Sequence, residues 1–134
     1  MKIHSKIRQA VIDALQPHLP KVKEFSNGKP SFTDIETQSP TVAVFISNVT
    51  PTGYLDGTLH ATLHVAAFMR SASREDDLDK LAQEIYESGI VEESLASLTE
   101  TTAFSSFDYE QDEQMATWIA ADIQYNITYE ANND

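Results

Sequence analysis

The segment ADIQYNITYE, residues 121–130, carries one of the most regular patterns in this chain of 134 residues. Apolar and aromatic side chains occupy every second position, and polar side chains fill the positions between them. The apolar positions are Ala121, Ile123, Tyr125, Ile127 and Tyr129. A period of two residues is typical of a strand with one buried and one solvent-facing side. Because chain ends usually fray, such a strand is expected to lie inside a sheet, docked between neighbours.

Two amphipathic helices accompany this strand in the predicted fold. The first has apolar residues at helical spacing from Ile3 to Leu15 and ends before Pro17. The second begins near Ser73, a candidate N-cap, and ends at Gly89. Its predicted buried stripe consists of Leu78, Leu81, Ala82, Ile85 and Tyr86.

Further strands are predicted between and after the helices, at residues 41–49, 58–68 and 102–110. The first of them is apolar almost throughout, which predicts cover on both of its faces. The second alternates, with Leu63 on one face and His60 and His64 on the other. Around residues 26–28 the triplet Ser-Asn-Gly predicts a short hairpin or a bend.

The order of these elements predicts the fold class. Strands that occur in groups, with few alternating crossovers, favour an α+β fold with a mostly antiparallel sheet and two main helices packed on one side. We expect a single domain over residues 1–130 and a flexible C-terminal tail at residues 131–134.

Charge and composition exclude several classes of protein. The chain has 21 Asp and Glu against 9 Lys and Arg, a net charge of −12, so its surface repels phosphate backbones and anionic membranes. A nucleic-acid reader is therefore not expected, whereas a protein that surrounds DNA without gripping it is compatible with this charge. There is no cysteine for a disulfide or thiolate site. No leader or membrane span is visible, which predicts a soluble intracellular protein.

The residue types that carry catalysis form no recognised motif. His60 and His64 are four apart on a predicted strand, which separates their rings by about 13 Å, too far for one metal ion. The acids Asp56, Asp108, Asp112 and Asp122 are interpreted as solvated turn or capping residues, since neither an enclosed pocket nor separated pKa values can be inferred for them. A small acidic enzyme or ligand-binding domain that uses the two histidines remains an alternative hypothesis.

The densest charge cluster comprises Glu75, Asp76, Asp77 and Asp79. One interpretation is a solvated helix start, because acids suit the positive end of the helix dipole. The other is a weak divalent-cation patch at a subunit interface, since carboxylate oxygens suit Mg²⁺. No other cofactor is expected. Several basic residues lie early in the chain, so a head-to-tail contact would place them against acids of the next copy.

Segments along nearly the whole chain together resemble a known family. They are IRQAVIDAL, FSNGKP, PTVAVF, TGYLD, ATLHVAAF, LDKLAQEIY and, most specifically, FDYEQDEQMATWIAADIQYNITYE at residues 107–130. In this order and at these separations they resemble the minor tail protein U, or tail terminator, family of long-tailed phages such as lambda. The resemblance implies a structural protein of the virion, without enzymatic activity, that assembles in the host cytoplasm.

The resemblance also implies partners. Subunits of this family form a hexameric ring at the head-proximal end of the tail, where the ring contacts the tail tube protein and the head–tail connector protein. It stops polymerisation of the tube and presents a surface for joining the head, and DNA only passes through its lumen. No membrane contact is implied.

Three bulky residues are candidate interface anchors. Tyr54 and Leu55 lie in a turn-like loop and either fold back onto their own core or contact a partner. Trp118 lies on the opposite face of its strand from Ile123 and either packs under a helix or contacts a partner. Another neck or tail-completion component of the same fold is the alternative function, since fold alone does not decide function.

Overall fold

The computed structural model of this chain describes residues 1–32, 34–53 and 57–132. The strands are β1 (Glu24–Asn27), β2 (Thr41–Pro51), β3 (Thr58–Arg70), β4 (Thr101–Gln111) and β5 (Trp118–Glu130). The helices are α1 (Lys2–Leu15), α2 (Ile35–Gln38), α3 (Glu75–Ser88) and α4 (Ile90–Ser94), and a 3₁₀ turn at Gln16–His18 follows α1. Within these residues no helix has the length and apolar character needed to cross a bilayer.

The five strands form one sheet in the order β1-β2-β3-β5-β4. β1 is parallel to β2, and the other three neighbouring pairs are antiparallel. β5 pairs with β3 from Trp118 opposite Arg70 to Glu130 opposite Thr58, and β4 pairs along its other side. The predictions of an α+β fold and of a last strand inside the sheet are therefore confirmed.

One face of the sheet holds the main core, under α1, α3 and α4. Helical spacing places Ile3, Ile7, Val11 and Leu15 of α1 on this core, and each is at most 1% exposed. The apolar residues of β5 belong to the same core, so the alternating apolar pattern of residues 121–130 identifies the buried side of the strand. Gly89, with a left-handed φ of 68°, ends α3 and begins α4, a conformation that glycine adopts without strain.

The other face, which we name the open face, points away from these three helices. Its apolar part is small: buried Ala43, Ala66, Phe68 and Ala120 pack with partly exposed Phe32, Phe45 and Trp118. The segment before α2 supplies Phe32, whose ring meets that of Phe68 at 5.3 Å. Cover on both faces of the first half of β2, where Val42 and Ala43 are both fully buried, is thus confirmed.

Near Gly28 the structure corrects the prediction of a hairpin. β1 pairs with the distant strand β2 and runs parallel to it, from Glu24 opposite Thr41 onwards. The residues after the turn form no strand, and Pro30 among them has no N–H to donate to a sheet. The bend at Gly28, where φ is 113°, is observed.

Two details of α3 also differ from the prediction. The N-cap position is Arg74 and not Ser73, and no side chain caps the helix. Tyr86, predicted as buried, is 39% exposed, because its ring packs sideways on Phe104 and Phe107 of β4 at 4.6 and 5.2 Å. β4 therefore extends the sheet beyond the area that α3 covers.

Two buried tyrosines of β5 differ in how their hydroxyl groups are satisfied. The hydroxyl of Tyr129 lies 2.6 Å from Nε2 of His4, and burial raises the pKa of Tyr129 to about 12. Burial, followed by the N-terminal amine and Arg8, lowers the pKa of His4, which favours a neutral ring that accepts this hydrogen bond. The hydroxyl of Tyr125 has no partner among the described residues, and burial raises its pKa as well.

From this difference we expect Tyr129→Phe to lower the free energy of unfolding by about 1 kcal/mol, the net value of one hydrogen bond. Tyr125→Phe is the matched control and is expected to be neutral or stabilising, because it removes a buried hydroxyl that no group satisfies. Urea denaturation of both variants measures the difference. Equal destabilisation by the two substitutions would contradict the assignment.

Candidate functional site

The open face carries a cavity of about 570 Å³ that runs across four strands. Phe45 and Ser47 of β2, His64 of β3, Asp122 of β5 and Glu110 of β4 line it. Alternation along each strand places these side chains opposite the helix-covered core. The cavity thus combines an apolar floor with the polar residues of the open face.

Ser47, His64 and Asp122 form a continuous hydrogen-bonded trio across β2, β3 and β5. The Oγ of Ser47 lies 2.6 Å from Nε2 of His64, and Nδ1 of the same ring lies 2.7 Å from Oδ2 of Asp122. A carboxylate only accepts hydrogen bonds, so Nδ1 carries the proton and its N–H donates a hydrogen bond to Asp122. The ring of Phe45 stacks on the imidazole at 4.5 Å and fixes its plane.

Three carboxyl groups crowd the end of the cavity next to this trio. Asp108 of β4 is the direct cross-strand neighbour of Asp122, and Glu110 follows on the same face. Burial, and then the charges of Asp108 and Asp122, raise the pKa of Glu110 above its usual value. Like charges directly opposite one another destabilise a sheet. Repulsion among these three carboxyl groups therefore destabilises the isolated chain.

Asp122 is the most enclosed of the three. Its side chain is 7% exposed, and while Oδ2 binds His64, Oδ1 has no hydrogen-bond partner among the described residues. A buried carboxylate oxygen without a partner is costly. The chemistry of this acidic end therefore suits a positively charged or hydrogen-donating group.

The histidines only partly follow the predictions. His60 and His64 share the open face as the strand period requires, and His60 lies opposite Thr128. Of the two, His64 is joined by an acid, Asp122, which the sequence did not pair with it. Within residues 1–32, 34–53 and 57–132, no group of three or more His, Asp or Glu side chains is arranged to hold a metal ion.

The four acids of the proposed cation patch occupy the start of α3, and all are exposed. Glu75 and Asp79 line a groove of about 920 Å³ against β4, where Asp79 accepts a hydrogen bond from the hydroxyl of Tyr109 at 2.9 Å. Asp77 lines a different cavity, and Asp76 lies 3.5 Å from Arg74. The structure thus directs the four carboxylates to different surroundings, and cation binding stays a prediction.

Of the three candidate interface anchors, the structure describes Trp118 alone. Tyr54 and Leu55, like Asp56, lie outside the described residues. Trp118 is half-buried on the open face, where its ring packs edge-to-face on Phe68 at 5.1 Å, and it is not beneath α1, α3 or α4. Because it also lines both large cavities, Trp118 is placed at their junction.

Sequence reasoning missed an exposed aromatic stripe along the sheet edge. Tyr86, Phe107 and Tyr109 are between 39% and 57% exposed and lie on the helix side of β4. A bulge between Phe104 and Ser106 brings Phe104 and Phe107 to the same side, so simple alternation does not reveal the stripe. The free edge of β4 beside these rings is a surface that another chain can pair with.

The turn after β4 is held by a carboxylate predicted as a turn acid. Asp112 accepts hydrogen bonds from the backbone N–H groups of Gln114, Met115 and Thr117 and from the hydroxyl of Thr117. These bonds, with the Thr117 hydroxyl contributing most, lower the pKa of Asp112 to about 2. Asp112 is therefore fully engaged within its own chain.

The order of hydrogen bonds in the trio is that of a serine hydrolase, so its reactivity requires a test. Acyl transfer needs donors that stabilise a developing oxyanion, whereas three of the charged groups that line this cavity, Asp108, Glu110 and Asp122, are carboxylates. We expect a fluorophosphonate probe to leave Ser47 unlabelled, as measured by intact mass spectrometry. Stoichiometric labelling that disappears in His64→Ala would contradict this expectation and support a hydrolase.

Comparison with known proteins identifies relatives along almost the full length. Residues 2–129 match the family model described as phage minor tail protein U. A tail tube terminator protein of Escherichia phage N15 is 32% identical over 130 residues, covering 95% of this chain and 98% of the relative. A tail tube terminator protein of Escherichia phage lambda is 34% identical with the same coverage. This chain belongs to the phage minor tail protein U family.

Proposed function

We propose that this chain is a structural tail terminator that caps the head-proximal end of the phage tail tube, stops its polymerisation and presents the surface that joins the head. The observation that carries the proposal is the family match over residues 2–129 together with two relatives named tail tube terminator proteins. The role requires no chemical step, and in this proposal the protein is not an enzyme.

In this proposal the capping unit is a ring of copies, six in the family that the sequence resembles. A ring contact is heterologous, because one patch meets a different patch on the next copy and a fixed rotation closes the circle. Two unlike surfaces suited to such a contact are available: the free edge of β4 and the short strand β1 at the other edge of the sheet. Each contact should bury on the order of 1,000 Å² or more.

In this proposal the ring stops growth of the tail tube because its two faces differ in shape. A growing tube adds rings because each ring presents the same surface as the one before it. A ring whose lower face imitates a tube ring and whose upper face does not would end the series. DNA passes through the lumen, where an acidic surface does not retain it.

A tube-capping experiment tests the proposal. Tail tube protein is allowed to polymerise with and without the purified chain, and tube lengths are measured by negative-stain electron microscopy. We expect shorter tubes with the chain bound at one end only. Unchanged growth, or binding along the length of the tubes, contradicts the proposal. Binding to the head–tail connector but not to tubes would favour the alternative, another neck component.

Mg²⁺ is proposed to promote association of the copies, since a cation screens or bridges their acids. The candidate positions are the exposed acids Glu75, Asp76, Asp77 and Asp79. Sedimentation should show association that rises with concentration and with Mg²⁺, and Glu75→Ala with Asp77→Ala should weaken the Mg²⁺ dependence. Glu87→Ala with Glu93→Ala, elsewhere on the helices, is the matched control. Unaltered dependence in the first variant would point to another site.

A further inference from the structure

The distribution of charge along this chain is asymmetric. All nine Lys and Arg lie between Lys2 and Lys80, and residues 81–134 contain twelve Asp and Glu with no Lys or Arg. The fold places these basic and acidic parts of the chain at different sides of the molecule, because β1 and β4 are the two opposite edges of the sheet. Lys21 and Lys23 precede β1 at one edge, and Asp108 and Glu110 lie on β4 at the other.

The lysines beside β1 are free to bind another molecule. Within the described part of the chain, the ion pairs are His64–Asp122, Arg70–Glu36 and Arg74–Asp76. Lys21 and Lys23 are both exposed and belong to none of these pairs. A net charge of −12 opposes self-association, so contacts at which opposite charges meet are favoured.

Among the described residues, none of the three carboxyl groups at the acidic end of the open-face cavity forms an ion pair with a Lys or Arg side chain. Asp108 and Asp122 are directly opposed, Glu110 lies beside them, and Oδ1 of the deeply buried Asp122 has no partner among the described residues. Asp112 does not share this deficit, since its own turn donates four hydrogen bonds to it. Asp122 therefore differs from Asp112 in keeping a buried oxygen that no described residue satisfies.

The walls of the cavity suit a lysine side chain. Trp118 and Phe68 form an aromatic edge-to-face pair at 5.1 Å that lines the cavity beside the carboxylates. A lysine places its methylene groups on apolar surface and its ammonium group among acceptors. Lys29 of the same chain also lines the cavity, and its Nζ lies 5.8 Å from the centre of the Phe45 ring.

We propose that the acidic end of the open-face cavity, formed by Asp108, Glu110 and Asp122, binds Lys21 and Lys23 of a second copy of this chain. The proposal rests on the ring proposed above and names the surfaces that close it. One edge of the sheet supplies the acids and the opposite edge supplies the lysines, so every copy carries both halves and the contact is head-to-tail.

A charge exchange tests the pairing. Asp108→Lys with Glu110→Lys makes the acidic end basic, and Lys21→Glu with Lys23→Glu makes the lysine segment acidic. Each double variant alone should associate about tenfold or more weakly than the unmodified chain, because like charges then meet at every contact. A one-to-one mixture should recover association, since in an alternating ring both kinds of contact are again complementary. Analytical ultracentrifugation at low salt measures all three.

Two matched controls carry the same change in net charge at other exposed positions. They are Glu87→Lys with Glu93→Lys, and Lys2→Glu with Lys6→Glu, and their mixture should show no recovery beyond that of either alone. Circular dichroism confirms folding of each variant. If the lysine substitutions at Asp108 and Glu110 impair folding, Asp108→Asn with Glu110→Gln replaces them, with a smaller loss expected.

The outcomes separate this inference from the proposed function. If each double variant associates more weakly and the mixture recovers association, the result supports the pairing of the lysines with the acidic end of the cavity. Association that both variants leave unchanged, or that the mixture does not recover, overturns the pairing and leaves the ring standing. A chain that stays monomeric at every concentration, with Mg²⁺ and tail tube protein present, overturns the ring itself.

Discussion

Tyr125→Ala is expected to lower the free energy of unfolding by about 3–5 kcal/mol, the usual cost of truncating a buried aromatic side chain. Tyr125 is fully buried in the central strand β5, and Phe104 of β4 lies beside it with ring centroids 6.2 Å apart. Removing the ring leaves a cavity between the sheet and the helices. Because small domains unfold with only about 5–15 kcal/mol, the variant should be close to unfolding at 37 °C. Urea denaturation followed by circular dichroism measures the change.

The adjacent residue provides the control. Asn126 is exposed on the other face of the same strand, and Asn126→Ala should change the free energy of unfolding by no more than about 0.5 kcal/mol. The two substituted residues are neighbours in β5, and their side chains lie on opposite faces of the sheet. Similar effects at both positions would show that β5 does not present the faces described above.

Phage assembled without this protein should carry tails of abnormal length that fail to join filled heads. The expected effect is large, because in the proposed role a tube end without this protein continues to accept identical rings and presents no head-joining surface. Electron microscopy of lysates from a deletion phage gives the distribution of tail lengths and the fraction of free heads.

Supplying the unmodified chain from a plasmid should restore normal tails, whereas Tyr125→Ala should restore them poorly at 37 °C and better at lower temperature. Tails of normal length attached to filled heads in the absence of the protein would refute the proposed role. The temperature dependence links the defect to folding rather than to a lost contact.

Much of the fold could be predicted because its determinants are local and periodic. The alternation in β5 and the helical stripe of α1 identify their buried faces residue by residue, and the burial of Ile123 and Ile7 follows directly. Gly89 ends α3 in a left-handed conformation that glycine adopts more readily than other residues.

The missed elements depend on contacts between distant segments. β1 has four residues and exists because β2 lies alongside it in parallel, so the local turn at Gly28 suggested a hairpin instead. Tyr86 has helical spacing typical of burial, but β4 reaches past α3 and leaves the ring at the surface. Tertiary context overrode the local pattern in both places.

The candidate site was even less predictable. Ser47, His64 and Asp122 come from three strands, and His64 and Asp122 are 58 residues apart in sequence. Single-sequence patterns indicated the open face of β3 but not which side chains meet on it. An acid identified as solvated, Asp122, proved to be buried, with His64 of β3 hydrogen-bonded to it.

The central position of β5 also has a kinetic consequence. Pairing Thr58 with Glu130 and Arg70 with Trp118 joins segments that are far apart in sequence, and such pairings slow folding. Until the β4–β5 hairpin docks, a β2–β3 hairpin exposes one side of β3 as an apolar edge. At that stage the β4–β5 hairpin of a different molecule can add to the same edge, so refolding at high concentration should yield intertwined dimers by exchange of this hairpin.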